Sequence, residues 1–270
     1  MGKINLNTPI IQPGELLHSF CTRFARVNSI SDEELTDLLE INNICLGSLL
    51  ESLEKIIKLT NLNKPAIEVM YDHTVVNLHR FGIPKDELKA YEKSLNNNMT
   101  IAYGFFAYPL ENTICPLCAL EDIEKFGYPL KRIYQNYNNV EVCYKHNTKL
   151  VYFTERNESN YEEYLKNSVE DNNNNEKLEY ANFIYKLSQL KNSNICFENT
   201  EKVIVPYITK ENYEKLAINA WDRNCLYSLL LKKVKLSGID FSLFPRVLFL
   251  LYKDDFDLLQ KRYDELNKDV

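Results

Sequence analysis

The chain has 270 residues, 45% of them apolar and 26% charged, with a formal net charge of -6. That is enough apolar material for one large domain or two small ones with real hydrophobic cores. An acidic balance works against a surface drawn to phosphate as a whole, because counterion release favours a basic face, so any nucleic-acid contact must be local.

Read along its length, the chain is expected to be mainly α in four parts. These are an N-terminal helical region over 1–110, a zinc-binding segment over 111–155, a polar linker or loop over 156–176, and a C-terminal helical region over 177–270. The opening, MGKINLNTPIIQPGE, lacks the apolar core of a signal peptide, and no run approaches the roughly 18 to 20 apolar residues of a membrane span. The expectation is a soluble, cytoplasmic protein without membrane contact. Pro13-Gly14 punctuates the chain before a first helix, whose Leu16, Leu17, Phe20, Phe24 and Val27 follow a 3.6-residue period and predict a core-facing stripe. Ser31 with Glu34 three positions on predicts a capping box at the start of a second. SLLESLEKIIKL, the break TNLN and KPAIEVMYDHTVV then read as helix, tight turn and helix, the last opened by Asn63 and Pro65.

Such a pair is compatible with a DNA-binding helix-turn-helix whose second helix offers Lys64 to a major groove. Helical hairpins are also common without DNA contact, and Glu68 and Asp72 on that same helix favour that reading. Beyond the cysteine segment, ERNESNYEEYLKNSVEDNNNNEK is polar and Asn-rich, the composition of a linker. Helical periodicity resumes at KLEYANFIYKLSQL, followed by a strand-like VIVPYI that Pro206 confines to an edge or to extended chain. ENYEKLAINAWDRNCLYSLLLKKVKL, FSLFPRVLFLLY and DDFDLLQKRYDEL complete the helical pattern. Lys232, Lys233 and Lys235 form a second candidate DNA contact, although a solvated helix face is the more ordinary reading of such a cluster.

The chemistry concentrates in residues 111–150. Cys115 and Cys118 form one short pair, Cys143 and His146 another, with 24 residues between Cys118 and Cys143. Two such knuckles are the usual sequence form of a structural zinc site: each turn brings two side chains together, and two turns complete a tetrahedron. Three thiolates and one imidazole fill all four positions, leaving none open for an activated water, so one structural Zn2+ is expected. The competing readings are two unrelated thiol pairs, or a redox pair at Cys115 and Cys118, which would ordinarily open a helix in a βαβ context that nothing nearby supplies. Cys21, Cys45, Cys196 and Cys225 sit in apolar surroundings and read as small hydrophobes. His18 reads as a partly buried polar helix residue, and His73 and His79 as surface or satisfied residues.

Catalytic motifs do not emerge. GxxxxGK[ST], GxGxxG and GxSxG are absent, seven glycines leave little material for phosphate-cradling loops, and the acidic runs at 32–34 and 254–255 fall at helix starts, where carboxylates complement the helix dipole. The expectation is a protein that is not an enzyme.

With these residues in view, the chain resembles the TniQ/TnsD family of transposition target-selection proteins. PGELLHSFCTRFARVNSIS at 13–31 is similar to the family's opening helix, LTNLNKPAIEVM at 59–70 to its helical hairpin, and CPLCALEDIEKFGYP at 115–129 with VCYKHNTKL at 142–150 to its CPxCLxED and VCxxH knuckles. The chain departs from the family pattern at Tyr144, where proline is common, at Asn147, where glycine is common, and at Lys131, where an aromatic residue is frequent. Its length suits a shorter TniQ-type adaptor better than a TnsD-type selector with a long C-terminal extension. The resemblance implies an accessory factor without strand-transfer activity. Such a factor binds target DNA or an RNA-guided CRISPR effector complex, recruits a AAA+ ATPase of the TnsC/TniB kind, and in some members forms a homodimer. A zinc-containing helix-turn-helix transcription regulator is the alternative reading of the same hairpin.

Overall fold

The structure, a computed structural model, describes residues 6–41, 52–90, 112–153, 160–190, 195–207 and 243–266. The protein is mainly helical with few strands, and its residues gather into two compact units: Met1–Asn77 with Ala90–Ala181, and Leu78–Lys89 with Asn182–Val270. Cys45, Cys225, Lys232, Lys233 and Lys235 lie outside the described residues. Among the described residues no helix is long and apolar enough to cross a membrane.

The first unit opens on a turn that only its sequence can make. Gln12 to Glu15 closes through Glu15 N–H to the Gln12 carbonyl at 3.0 Å, with Pro13 and Gly14 in the middle and Gly14 at φ +69°. This is the type II pattern, in which proline presets the first central residue and glycine accepts the positive φ of the second. The chain then enters α1, Leu17–Val27. Leu16, Leu17, Phe20 and Phe24 are buried as expected, but Val27 is 50% exposed because it occupies the last turn. The helix is also buried well beyond its apolar stripe, since Ser19, Thr22 and Arg23 are covered too. Each buried polar group has a partner: the Thr22 hydroxyl donates to the His18 carbonyl, and Ser19 Oγ accepts from Lys131 N–H at 3.0 Å.

Helix α2, Asp32–Leu39, begins with the expected capping box, Ser31 Oγ accepting from Glu34 N–H and Glu34 accepting from Ser31 N–H. These hydrogen bonds hold the Glu34 carboxyl below its usual pKa. Helices α3, Leu53–Leu59, and α4, Ala66–His73, form the expected hairpin and touch one another. Its turn differs in detail from the sequence expectation: Asn61 takes the left-handed conformation at φ 49°, and Pro65, not Asn63, is the N-cap residue of α4. Lys64 therefore sits in the turn, ahead of the second helix. Short α5, Val76–His79, follows.

One buried ion pair holds this N-terminal portion. Glu15 is fully buried and receives Arg23 in a fork, Nε to Oε1 at 3.2 Å and Nη2 to Oε2 at 2.7 Å, while Gln12 N–H donates to Oε2 at 2.8 Å. Burial pushes the Glu15 carboxyl above its usual range, and the Arg23 contacts pull against that shift. His73, read from sequence as surface or satisfied, is satisfied and almost fully buried: Nδ1 meets the Glu15 carbonyl at 3.0 Å and Nε2 meets Lys64 Nζ at 3.2 Å.

The second unit solves its packing with aromatic rings. Residues 85–89 are helical, and Phe183, on the part of α8 (Asn175–Gln189) that follows Ala181, meets Phe249 and Phe256 edge to face at 5.5 and 5.3 Å. Helix α9, Phe197–Ile204, packs on α10, Leu243–Tyr252, and on α11, Phe256–Leu266, whose first turn is capped by Asp255 Oδ1 accepting from Leu258 N–H at 3.0 Å. Helices α6, Pro116–Phe126, and α7, Tyr161–Asn167, lie in the first unit. The strand expected at VIVPYI is absent over its described part: Val203 and Ile204 end α9, and Val205–Tyr207 is a 3-10 turn. Tertiary packing decides this, because Thr200 Oγ1 meets Tyr263 Oη at 2.8 Å, the Tyr252 hydroxyl donates to the Val203 carbonyl at 2.7 Å, and Val203 and Ile204 are buried in the helical register.

Two outcomes follow from the first unit. Arg23→Ala leaves Glu15 buried without its counterion and is expected to lower unfolding free energy by about 3 to 5 kcal/mol in chemical denaturation. His18 is held neutral, its pKa lowered from 6.5 to about 4 first by burial and then by the Lys131 ammonium. A base depressed in the folded state takes up a proton on unfolding, so its contribution is whole above pH 6.5 and is lost as pH falls toward 4. The urea midpoint is expected to drop between pH 7 and pH 5, and His18→Asn to remove part of that drop.

Candidate metal centre

Three local structures bring the knuckles together. Strands β1, Thr113–Ile114, and β2, Val151–Tyr152, pair antiparallel with Ile114 opposite Val151, so the residue before the first ligand lies beside the residues that follow the second knuckle. Cys115 is the N-cap of helix α6, Pro116–Phe126, and its sulfur accepts from Cys118 N–H at 3.5 Å, with Pro116 at the first helical position. Gly127 ends the helix at φ 73°. The CPLC pair thus does open a helix, which its sequence context did not announce, yet the strands beside it are an antiparallel pair and not a βαβ unit. The second knuckle is a tight loop in which Cys143 N–H donates to the Thr148 carbonyl and Asn147 N–H to the Cys143 carbonyl, both at 2.9 Å. Asn147 sits at φ 53°, a conformation that glycine takes freely and asparagine tolerates.

All four expected ligand residues converge. Cys115, Cys118 and Cys143 are buried and His146 is nearly so, and their donor atoms lie within 4.8 Å of one another. His146 Nδ1 stands 3.4, 3.3 and 3.8 Å from the sulfurs of Cys115, Cys118 and Cys143, and the Cys118 and Cys143 sulfurs are 3.7 Å apart. A tetrahedron with metal–sulfur bonds of about 2.3 Å requires S···S near 3.8 Å and S···N near 3.5 Å, so the cage fits a tetrahedral ion. A separation of 3.7 Å is far from a disulfide, and the cysteines are free thiols.

Residues outside the ligand set complete the cage. Gln135, fully buried, lies on the 3-10 turn Ile133–Gln135, accepts from Cys115 N–H and points Nε2 at the Cys143 sulfur. Thr148 Oγ1 lies 3.2 Å from the Cys115 sulfur. Asp122 takes Arg132 in a bidentate fork with both contacts at 2.6 Å, and Tyr134 meets Tyr144 edge to face at 5.2 Å. Residues 130–133 are the dock for the opening turn: Leu16 N–H donates to the Lys131 carbonyl at 2.8 Å, Ile133 N–H to the Gly14 carbonyl at 3.0 Å, and Glu15 bridges Arg132. On the far side, helix α7, Tyr161–Asn167, packs on α6, with Leu165 buried beside Ala119, Ile114 and Phe153. Asn172 exchanges hydrogen bonds with Asn147. The described stretch from 160 onward is therefore packed against the knuckles in spite of its linker-like composition.

A family model described as TniQ matches residues 6–150. The chain belongs to the TniQ family. No curated protein matches it. The TniQ match makes this a transposition-associated protein and spans both the Glu15–Arg23 pair and the two knuckles. Of the candidate DNA contacts in this TniQ chain, Lys64 is described, and its ammonium lies 3.5 Å from Asp72 and 3.2 Å from His73.

Sequence reading named the four residues that cluster here and missed Gln135, Thr148 and Arg132 around them. Their roles depend on folding distant turns together, and no spacing rule marks them. Glu121 alone carried a local signal, three residues after Cys118 on the same helix face. Replacing one ligand tests the cage: Cys143→Ala is expected to lose most bound metal and to melt well below the parent protein, read by metal analysis and thermal denaturation. Stoichiometric metal with unchanged melting would contradict the assignment.

Proposed function

We propose that this TniQ protein is a non-catalytic adaptor of transposon target-site selection. In this reading it engages target DNA or an RNA-guided CRISPR effector complex and recruits a AAA+ ATPase regulator of the TnsC/TniB kind. The supporting observation is the closed Cys3His cage within a TniQ domain. Its soft sulfur donors and tetrahedral separations suit Zn2+, and four protein ligands leave no position for an activated water. The ion is then structural, fixing the fold that presents the adaptor's surfaces.

The charge of the chain favours protein partners for the larger share of its contacts. Lys64, engaged by Asp72 and His73, offers only part of its charge to a phosphate. The test is co-sedimentation of the purified protein with the AAA+ regulator of its own transposon, with ATP and duplex DNA present. The expected result is ATP-dependent recovery with the ATPase, and a DNA affinity that falls steeply with salt. Tight binding of one palindromic operator without the ATPase, and no recovery with it, would instead establish the transcription-regulator reading.

A further inference from the structure

The Cys118-bearing helix carries a second group aimed at the cage. Glu121 stands one turn after Cys118 on α6, and its carboxylate reaches across to the other knuckle, where Oε1 lies 3.1 Å from His146 Nε2 and Oε2 contacts Lys145. The opposite ring nitrogen of His146, Nδ1, is the one that faces the three sulfurs. We propose that Glu121 is a positioning residue for the metal centre: it accepts the Nε2–H of neutral His146, so that the lone pair is held on Nδ1 and the ring is locked toward the ion.

The physical reason is that an imidazole has two tautomers and a free ring rotation, and only one combination presents a lone pair to this cage. A carboxylate on the far nitrogen selects that tautomer and raises the basicity of the ligating nitrogen. The geometry also joins the two knuckles outside the ion, because Glu121 belongs to the first and both of its partners to the second. His146 is 15% exposed and Glu121 51% exposed, so water competes for the carboxylate. The expected effect is accordingly the low end of the range for such partners, about tenfold in metal affinity.

The experiment measures Zn2+ affinity by competition with a chromophoric chelator for the full chain and for Glu121→Ala, Glu121→Gln and Lys145→Ala. Glu121→Ala should bind about tenfold more weakly. Glu121→Gln should recover most of that loss, because its amide oxygen still accepts Nε2–H. Lys145→Ala should change affinity by about twofold, the scale of a half-exposed ion pair. In the loaded parent protein the His146 Nε2 proton should be observable and slow to exchange by NMR, and in Glu121→Ala that protection should be lost. Unchanged affinity in Glu121→Ala overturns the proposal, as does a Lys145→Ala loss of the same size or a Glu121→Gln variant no better than alanine. Failure of the parent protein to bind Zn2+ would overturn the cage itself, a result distinct from any of these.

Discussion

Four donor atoms from two turns far apart in sequence meet within a few ångström, and the α-helix between them, α6, ends at Phe126, well short of the second knuckle. The strand pair is two residues long on each side and the second knuckle is a loop. Isolated pieces of this size are marginal in water. An ion held by these four side chains and binding only the folded form would add its affinity to folding, on the order of 10 kcal/mol for small zinc modules near neutral pH. From that point the rest of the first unit is a series of dependent contacts. The cage fixes the start of α6, α6 carries Asp122, Asp122 holds Arg132 in a fork, and the backbone around Arg132 is the dock for Gly14 and Glu15.

Glu15 then turns a backbone dock into a seat for α1. A buried carboxylate and guanidinium gain little over a well-packed apolar pair, because desolvation cancels most of their attraction. Their value lies in the penalty for mispairing: Arg23 satisfies both Glu15 oxygens and also reaches the Ile10 carbonyl, so any shift of the helix against the turn strands a buried charge. His73 extends the same logic to α4 through the Glu15 carbonyl. In the described part of the second unit Phe183, Phe197, Phe244, Phe249 and Phe256 meet in edge-to-face contact. One unit is aligned by charge and the other by ring shape.

This contrast explains which parts were legible in the sequence. Local rules with a fixed offset read correctly: the Ser31–Glu34 box, the Asp255 cap, the helical hairpin and the two knuckles each need only a few residues and a known spacing. Errors arose where a distant partner decides. VIVPYI has strand-like residues, yet Thr200, Val203 and Ile204 are held in a helix by Tyr252 and Tyr263 from much later in the chain. His73, read as surface or satisfied, is indeed satisfied, though by a carbonyl 58 residues away that no local motif announces. The 156–176 composition reads as solvated, and only Leu165 against Ala119 and Asn172 against Asn147 reveal its described part as packed.

The motifs that carry the family resemblance are largely consumed by the fold itself. Glu15 and Arg23 of the opening helix, Asp122 of the first knuckle and the four ligands point inward, and Arg132 is occupied by Asp122. A motif whose side chains are all spent on internal contacts specifies an architecture, and it leaves the chemistry of the outer surface free to vary. The family can therefore be read from a few residues that face inward. The departures follow the same division. Asn147 keeps the backbone conformation that glycine would adopt and Tyr144 packs on Tyr134, so both preserve the cage while changing what its rim presents.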